Sequence, residues 1–263
     1  MARRWKPSPV TSRGEFRVDM HVKVLDDRVV ERAKARGLDA LVYAPHFTRL
    51  PEIERRAAAH SDKDLLVVPA REVFTGNWQD RRHVLAVGLS EPVPDFITLE
   101  GAMAEFERQD AAVLVPHPTF ATVSLDGEQI ADYADTIDDV EVYNPKHFSW
   151  HNSRAQELAA EHGYPGFTSS YAHLRGTIGE AWTAFEEPLA DADDLVAALQ
   201  DGAPRSVYHR EGLGHQLRCK AEFAHLGYEN TWKKLDRLLL QGTEATHPHH
   251  LAYEGKFDDV SVY

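Results

Sequence analysis

The feature that most constrains this chain is a repeated unit: a short apolar run, a turn, then a stretch with helical spacing. Apolar runs occupy 40–44, 65–68, 84–87 and 112–115, and two further strand-like runs occupy 140–143 and 166–169. Helical spacing fills 25–37, 51–60, 99–108, 128–134 and 153–162, with Gly37 and Gly163 as stops and Pro51 suited to a first turn. With 16–23 as the opening strand, strands and helices alternate about seven times. Runs that are apolar throughout belong to a parallel sheet covered on both faces. At 263 residues this predicts an α/β barrel rather than a doubly wound open sheet, and no glycine-rich first turn supports the alternative.

The opening strand alternates: Val18, Met20 and Val22 against Asp19, His21 and Lys23. An acid, an imidazole and an amine are thereby predicted on one face. Beyond 175 the spacing reads as helical, at 191–199, 213–226 and 231–240. The predicted organisation is a loose tail over 1–14, a barrel domain over 15–205, a helical extension over 206–241 packed on the barrel, and a tail over 242–263.

One cysteine, Cys219, excludes an internal disulfide and a Cys-based zinc site and points to a reducing compartment. No apolar run reaches membrane length. Arg3-Arg4 is followed by no apolar export segment. A cytoplasmic location is expected, with no membrane partner. A net charge of −13 argues against broad nucleic-acid binding. Residues 205–237 hold a local excess of basic groups, seven against four acids, and a solvated helix face accounts for it better than nucleic acid does. Nucleotide-binding glycine loops and serine-hydrolase elbows are missing from the sequence.

The remaining anomaly is histidine, fifteen in all. His46, Glu72, His117 and His173 follow apolar strands, His21 sits on one, and His83 enters one. A parallel barrel delivers its strand ends to one rim, where active sites lie. Five imidazoles and a carboxylate converging there suit a divalent transition metal, and a carboxylate can bridge two ions. Asn144 and Lys146 stand at another strand end, where loop polarity explains them as well. His151, His162 and the run His247-Pro248-His249-His250 need no function.

In order and spacing, Asp19-Met20-His21, Ala44-Pro45-His46, Val68-Pro69-Ala70-Arg71-Glu72, Arg82-His83-Val84-Leu85-Ala86, Val115-Pro116-His117-Pro118 and Ser169-Ser170-Tyr171-Ala172-His173 resemble the polymerase and histidinol phosphatase (PHP) family. Ile178-Gly179 and the helix after it resemble the family's associated C-terminal segment. The resemblance spans about 16–205. It implies a distorted (β/α)7 barrel, related to the TIM barrel and carrying C-terminal helices. It also implies hydrolysis of phosphate esters with bound metal ions.

Transferred by motif, His21 and Glu72 would face a first metal, Glu72, His83 and His117 a second, and His46 and His173 a third with Asp26 or Asp27. The chain departs from the family's motifs at Lys23, Pro45, Ala70 and Tyr171. Lys23 and Tyr171 both replace ligands assigned to the first metal. One or two ions are therefore expected, zinc or manganese ahead of iron or magnesium. A protonated lysine cannot ligate, but its charge can stand in for part of a missing ion.

Three functions compete. The first is a phosphoesterase acting on a nucleotide, an oligonucleotide or a small phosphomonoester. In it, Lys23, His46 and His173 are catalytic, with His46 or His173 protonating the leaving group, and Lys23, Arg71 and Arg175 bind substrate. The second is a non-catalytic barrel binding a phosphorylated ligand, nucleic acid or a protein. The third is metal-dependent hydrolysis of another bond, as in amidohydrolases.

Overall fold

The computed structural model describes residues 15–77, 80–120, 123–239 and 245–260, with backbone alone for 228–239. The tail expected over 1–14 lies outside the described residues. Strands β1 (Phe16–Val22), β2 (Ala40–Tyr43) and β3 (Leu66–Thr75) pair in parallel, with helices α1 (Asp27–Ala35) and α2 (Leu50–His60) as crossovers. Asp26 caps α1 by accepting from the Val29 N–H at 3.0 Å. The alternation then breaks. Strand β4 (Arg82–Val87) returns antiparallel beside β3, with no helix between, and β5 (Ala112–Val115) pairs antiparallel with β4. Strands β6 (Asp139–Tyr143) and β7 (Gly166–Thr168) resume the parallel order. Helices α3 (Leu99–Arg108), α4 (Gly127–Asp132) and α5 (Ser149–His162) fill the connections.

Past residue 175 the helical reading needs correction. Two strands lie there, β8 (Ala181–Phe185) and β9 (Arg205–His209), around helix α6 (Ala192–Gln200) and ahead of α7 (Leu213–Leu239). The run Ala-Trp-Thr-Ala-Phe is too short and too uniformly apolar for periodicity to tell strand from helix. Strand β8 pairs antiparallel with β1 and β9, giving the order β7-β6-β5-β4-β3-β2-β1-β8-β9. The sheet curls until β7, at one end, meets β8, next to the other end. The Thr168 N–H donates to the Thr183 hydroxyl at 3.0 Å, and that hydroxyl donates to the Thr168 carbonyl at 3.0 Å. The result is a nearly closed, distorted barrel.

Val18, Met20, Val42, Val68, Leu85, Leu114 and Phe167 pack in its interior, and Leu195 and Leu199 of α6 join them. Two further apolar clusters fill the space between sheet and outer helices. Tyr253 and Phe257, near the chain's end, are buried in one of these. Among the described residues, no helix is long and apolar enough to cross a membrane.

Candidate metal centre

The rim gathers the expected residues, and the antiparallel strand explains their placement. His46, His117 and His173 follow strands that run toward the rim. Strand β4 runs away from it, so its first residues lie at the rim, and His83 precedes its apolar run for that reason. Across the β3–β4 pair Glu72 faces Leu85 and Phe74 faces His83.

The opening strand does not keep one polar face. Val18 and Met20 pack inside the barrel while Val22 packs outside against Val29 and Leu41. The pairing with β2 shifts register between Asp19 and Val22. His21 and Lys23 therefore reach the rim centre without Asp19. Asp19 is buried and accepts the N–H groups of Ser170 at 2.8 Å and Gly179 at 3.0 Å. Burial raises its pKa to about 6 against the pull of those bonds.

Glu72 is fully buried at the centre, and its two carboxylate oxygens face different company. Oε1 lies 3.3 Å from His83 Nδ1 and 3.1 Å from His117 Nε2. Oε2 accepts the Lys23 ammonium and lies 2.9 Å from His46 Nε2 and 3.7 Å from His21 Nε2. The Lys23 ammonium also donates to the Ala44 carbonyl at 2.6 Å. Burial pushes the Glu72 pKa up, but Lys23 and the imidazoles outweigh it and hold the carboxylate well below its usual range. Burial lowers Lys23 to about 8 against the attraction of Glu72, so the pair is charged at neutral pH. Burial also lowers His46 to about 3 and His83 to about 4, and takes His21 and His173 well below the ordinary imidazole value. These rings are neutral, the form that ligates metal.

Two tautomers follow from the hydrogen bonds. The Ser124 hydroxyl donates to the Phe120 carbonyl at 3.0 Å, so its oxygen accepts from His117 Nδ1 at 2.9 Å. His117 Nε2 then carries a lone pair that faces the Glu72 oxygen. A proton or a metal ion between these two atoms, 3.1 Å apart, removes their repulsion, so the pair is built to hold a cation. His173 Nδ1 donates to the Tyr171 carbonyl at 3.0 Å, leaving Nε2 a bare acceptor, buried and without a partner among the described residues. Glu72, His83 and His117 present ligand atoms within 4.8 Å of one another, the one such set among the described residues. Donor chemistry, tautomer and spacing fit a divalent ion.

The other expected residues divide. Tyr171, at a left-handed φ of 48°, does not turn away from the site. Its ring stands 4.9 Å from that of His21 and 5.3 Å from that of His117, and Lys146 Nζ lies 4.7 Å from its centre. Arg71 is fully buried and engaged elsewhere. It donates to Asp95 at 3.0 Å and to the Thr48 carbonyl at 2.9 Å, so it is not placed to bind substrate. Arg175 pairs with Asp26 at 2.7 Å, and Asp27 is exposed, so neither aspartate joins the metal-facing set. Lys23 and Arg175 line a side cavity of about 510 Å³ rather than the main one.

The main cavity, about 390 Å³, opens over His46, His83, His117 and His173 between Phe74 and Phe120. Lys146 and Phe223 also line it. Lys146 follows the same strand-end rule as the histidines and was legible on that ground. Glu222 of α7 was not, because it comes from a helix outside the barrel. It accepts the N–H groups of His173 and Leu174, the latter at 2.7 Å, and faces Lys146 at 3.4 Å.

Residues 149–204 match the PHP-associated family. No curated protein is matched by the chain. Among solved structures, the chain is similar to PsfC from Pseudomonas syringae PB-5123, at 18% identity and a TM-score of 0.60 over 81% of this chain and 100% of that one. It is similar to the lesion-specific endonuclease PfuEndoQ from Pyrococcus furiosus, at 17% identity and TM-score 0.56 over 73% of this chain and 57% of that one. A protein from Bifidobacterium adolescentis assigned as a metal-dependent phosphoesterase shares 15% identity and TM-score 0.50 over 69% and 96%. The PHP-associated match covers 149–204, and the likeness to these solved structures is one of fold. The chain shares their distorted barrel fold, set around a His/Glu site suited to metal.

Proposed function

We propose that the chain is a phosphoesterase with a single-ion centre at Glu72, His83 and His117, in which the Lys23 ammonium takes the place of a second ion. The observation that carries this reading is the division of Glu72: one oxygen faces two ligand-ready imidazoles, the other accepts an ammonium. A divalent ion bound there would acidify water and polarise a phosphoryl oxygen. Zinc or manganese suits the nitrogen-rich set.

The chain's own groups do the rest. Lys23 keeps Glu72 ionised. His46 and His173, held neutral by burial, orient the attacking water as hydrogen-bond partners, and a leaving group of low basicity departs as the anion without needing their protons. Lys146, on the cavity wall, offsets charge developing on the phosphoryl oxygens. Phe74 and Phe120 exclude water and bear on an organic substituent. A small phosphorylated substrate or nucleotide suits the cavity volume, and a cytoplasmic setting suits the single buried thiol.

The test is metal content with turnover. Protein purified without chelator should hold about one ion per chain and hydrolyse p-nitrophenyl phosphate or bis-p-nitrophenyl phosphate. His117→Ala should lose both. A wild type that binds the ion and turns over neither ester would leave the non-catalytic barrel as the reading.

A further inference from the structure

A second cavity, about 660 Å³, adjoins the first, and Lys146, His147 and Phe223 line both. We infer that this second cavity is an anion subsite that seats a second phosphoryl group of the substrate. The inference rests on the phosphoesterase reading for calling that occupant part of a substrate.

The walls carry Lys146, Arg210 and Lys220 against Glu211, the one acid on the lining among the described residues. The groups behind the wall keep the balance positive. Glu180 accepts His215 at 2.7 Å and is shared with Arg36 at 2.9 Å and Arg218 at 2.7 Å. Glu222 faces Lys146. Five fixed cations thus meet three carboxylates, in a chain whose net charge is −13. A protein so acidic repels anions at long range, so a concave cationic site marks the place where one is accepted.

Donors are available as well. Arg210 spends Nε on the Gly179 carbonyl at 3.0 Å and one terminal nitrogen on the Arg36 carbonyl at 3.3 Å, which orients its other terminal nitrogen without consuming it. Lys220 is exposed and, among the described residues, makes no ion pair. His209 stacks on Tyr143 at 4.2 Å and donates from Nδ1 to the Arg210 carbonyl at 3.0 Å, which fixes the backbone beside the Arg210 side chain. At the lip, Phe148 is 60% exposed and Phe223 41% exposed, their rings 6.4 Å apart. These rings suit the organic scaffold joining the two phosphoryl groups. An organic bisphosphate or a short phosphodiester fits this arrangement better than a lone phosphomonoester.

The test uses inorganic pyrophosphate as probe and chelator-treated full-length protein, so that the metal centre contributes nothing. Calorimetry should find binding that Lys220→Glu weakens roughly tenfold, the equivalent of ~1.4 kcal/mol. Gln216→Glu, on the same wall, should weaken it in the same direction. Lys63→Glu, the same charge reversal on a remote exposed turn, should leave binding unchanged. No binding by wild type, or equal weakening by Lys63→Glu, overturns the subsite. Turnover of p-nitrophenyl phosphate by metal-loaded wild type is read separately. If turnover is absent while pyrophosphate binding depends on Lys220, the phosphoesterase reading falls and the subsite stands.

Discussion

Replacing Lys23 by methionine keeps the side chain's length and removes its charge. In the wild type the ammonium meets Glu72 and the Ala44 carbonyl, and the side chains of the ion pair are 4% and 0% exposed. Solvent screening is therefore slight. Removing one partner of a buried pair leaves the other charge uncompensated and costs ~3–5 kcal/mol. Each kcal/mol moves the melting temperature of a chain this long by roughly 2–4 °C. In the presence of EDTA, Lys23→Met should therefore melt roughly 10 °C below wild type. Lys34→Met is the control. It breaks a pair with Asp62 whose side chains are 30% and 48% exposed, and an exposed pair contributes under ~1 kcal/mol. The second readout runs the other way. With the ammonium gone, Oε2 of Glu72 is open to an ion, so added zinc or manganese should raise the melting temperature of Lys23→Met more than that of wild type. A melting point in EDTA within ~2 °C of wild type, or equal metal responses, would refute the role given to Lys23.

Arg71→Met should destabilise the fold by ~3–5 kcal/mol, since it strips the buried Asp95 of its partner, and leave metal content unchanged. A raised KM with stability unchanged would return Arg71 to the substrate. Glu141 is buried and accepts the His117 N–H at 2.7 Å and the Ser169 hydroxyl at 2.9 Å. Glu141→Gln should loosen the His117 turn and lower metal affinity ~10–100-fold by competition titration. Burial raises the Cys219 thiol to about 11. An acid with a raised pKa stays protonated below it, so at pH 8 only about a thousandth is thiolate. Labelling by a disulfide reagent should be slow in the native protein, quicken as pH approaches 11, and run to completion at pH 8 only after unfolding. Fast native labelling at pH 8 would contradict the burial.

The site was more legible than the sheet. Strand-end position is a local signal, and it found His46, His117 and His173, because a rim collects whatever follows each strand; Glu72 was found by the same rule although β3 runs on through it to Thr75. His83 was found before its strand, yet the reason, an antiparallel β4, is a pairing fact that no local pattern carries. The same limit hid β8 and β9, whose apolar residues suit helix and strand alike. Alternation also placed Asp19 beside His21, and a register shift with β2 undid that, since bulges leave period-two patterns unchanged in sequence. Glu222 had no signal at all. Its role comes from the docking of α7 over the loop at His173. Lys23 was legible only as a departure from a motif. Its bond to Glu72 needed the fold.

The run of β3, β4 and β5 has a consequence for the order in which the molecule comes together. Glu72 and His83 lie on one antiparallel pair closed by the short connection 76–81, and His117 follows β5, which joins that pair after the longer connection 88–111 that carries α3. Strand β1 waits for β8, some 150 residues later, before the barrel can shut. Short loops close at lower entropic cost, so the three ligands should assemble ahead of the seam. Pulsed hydrogen exchange during refolding should find protection across 66–115 before 181–185 acquires it. An ion present at that stage would bind a nascent sheet, and the half of the rim that holds His21, Lys23 and His173 would be built onto it afterwards.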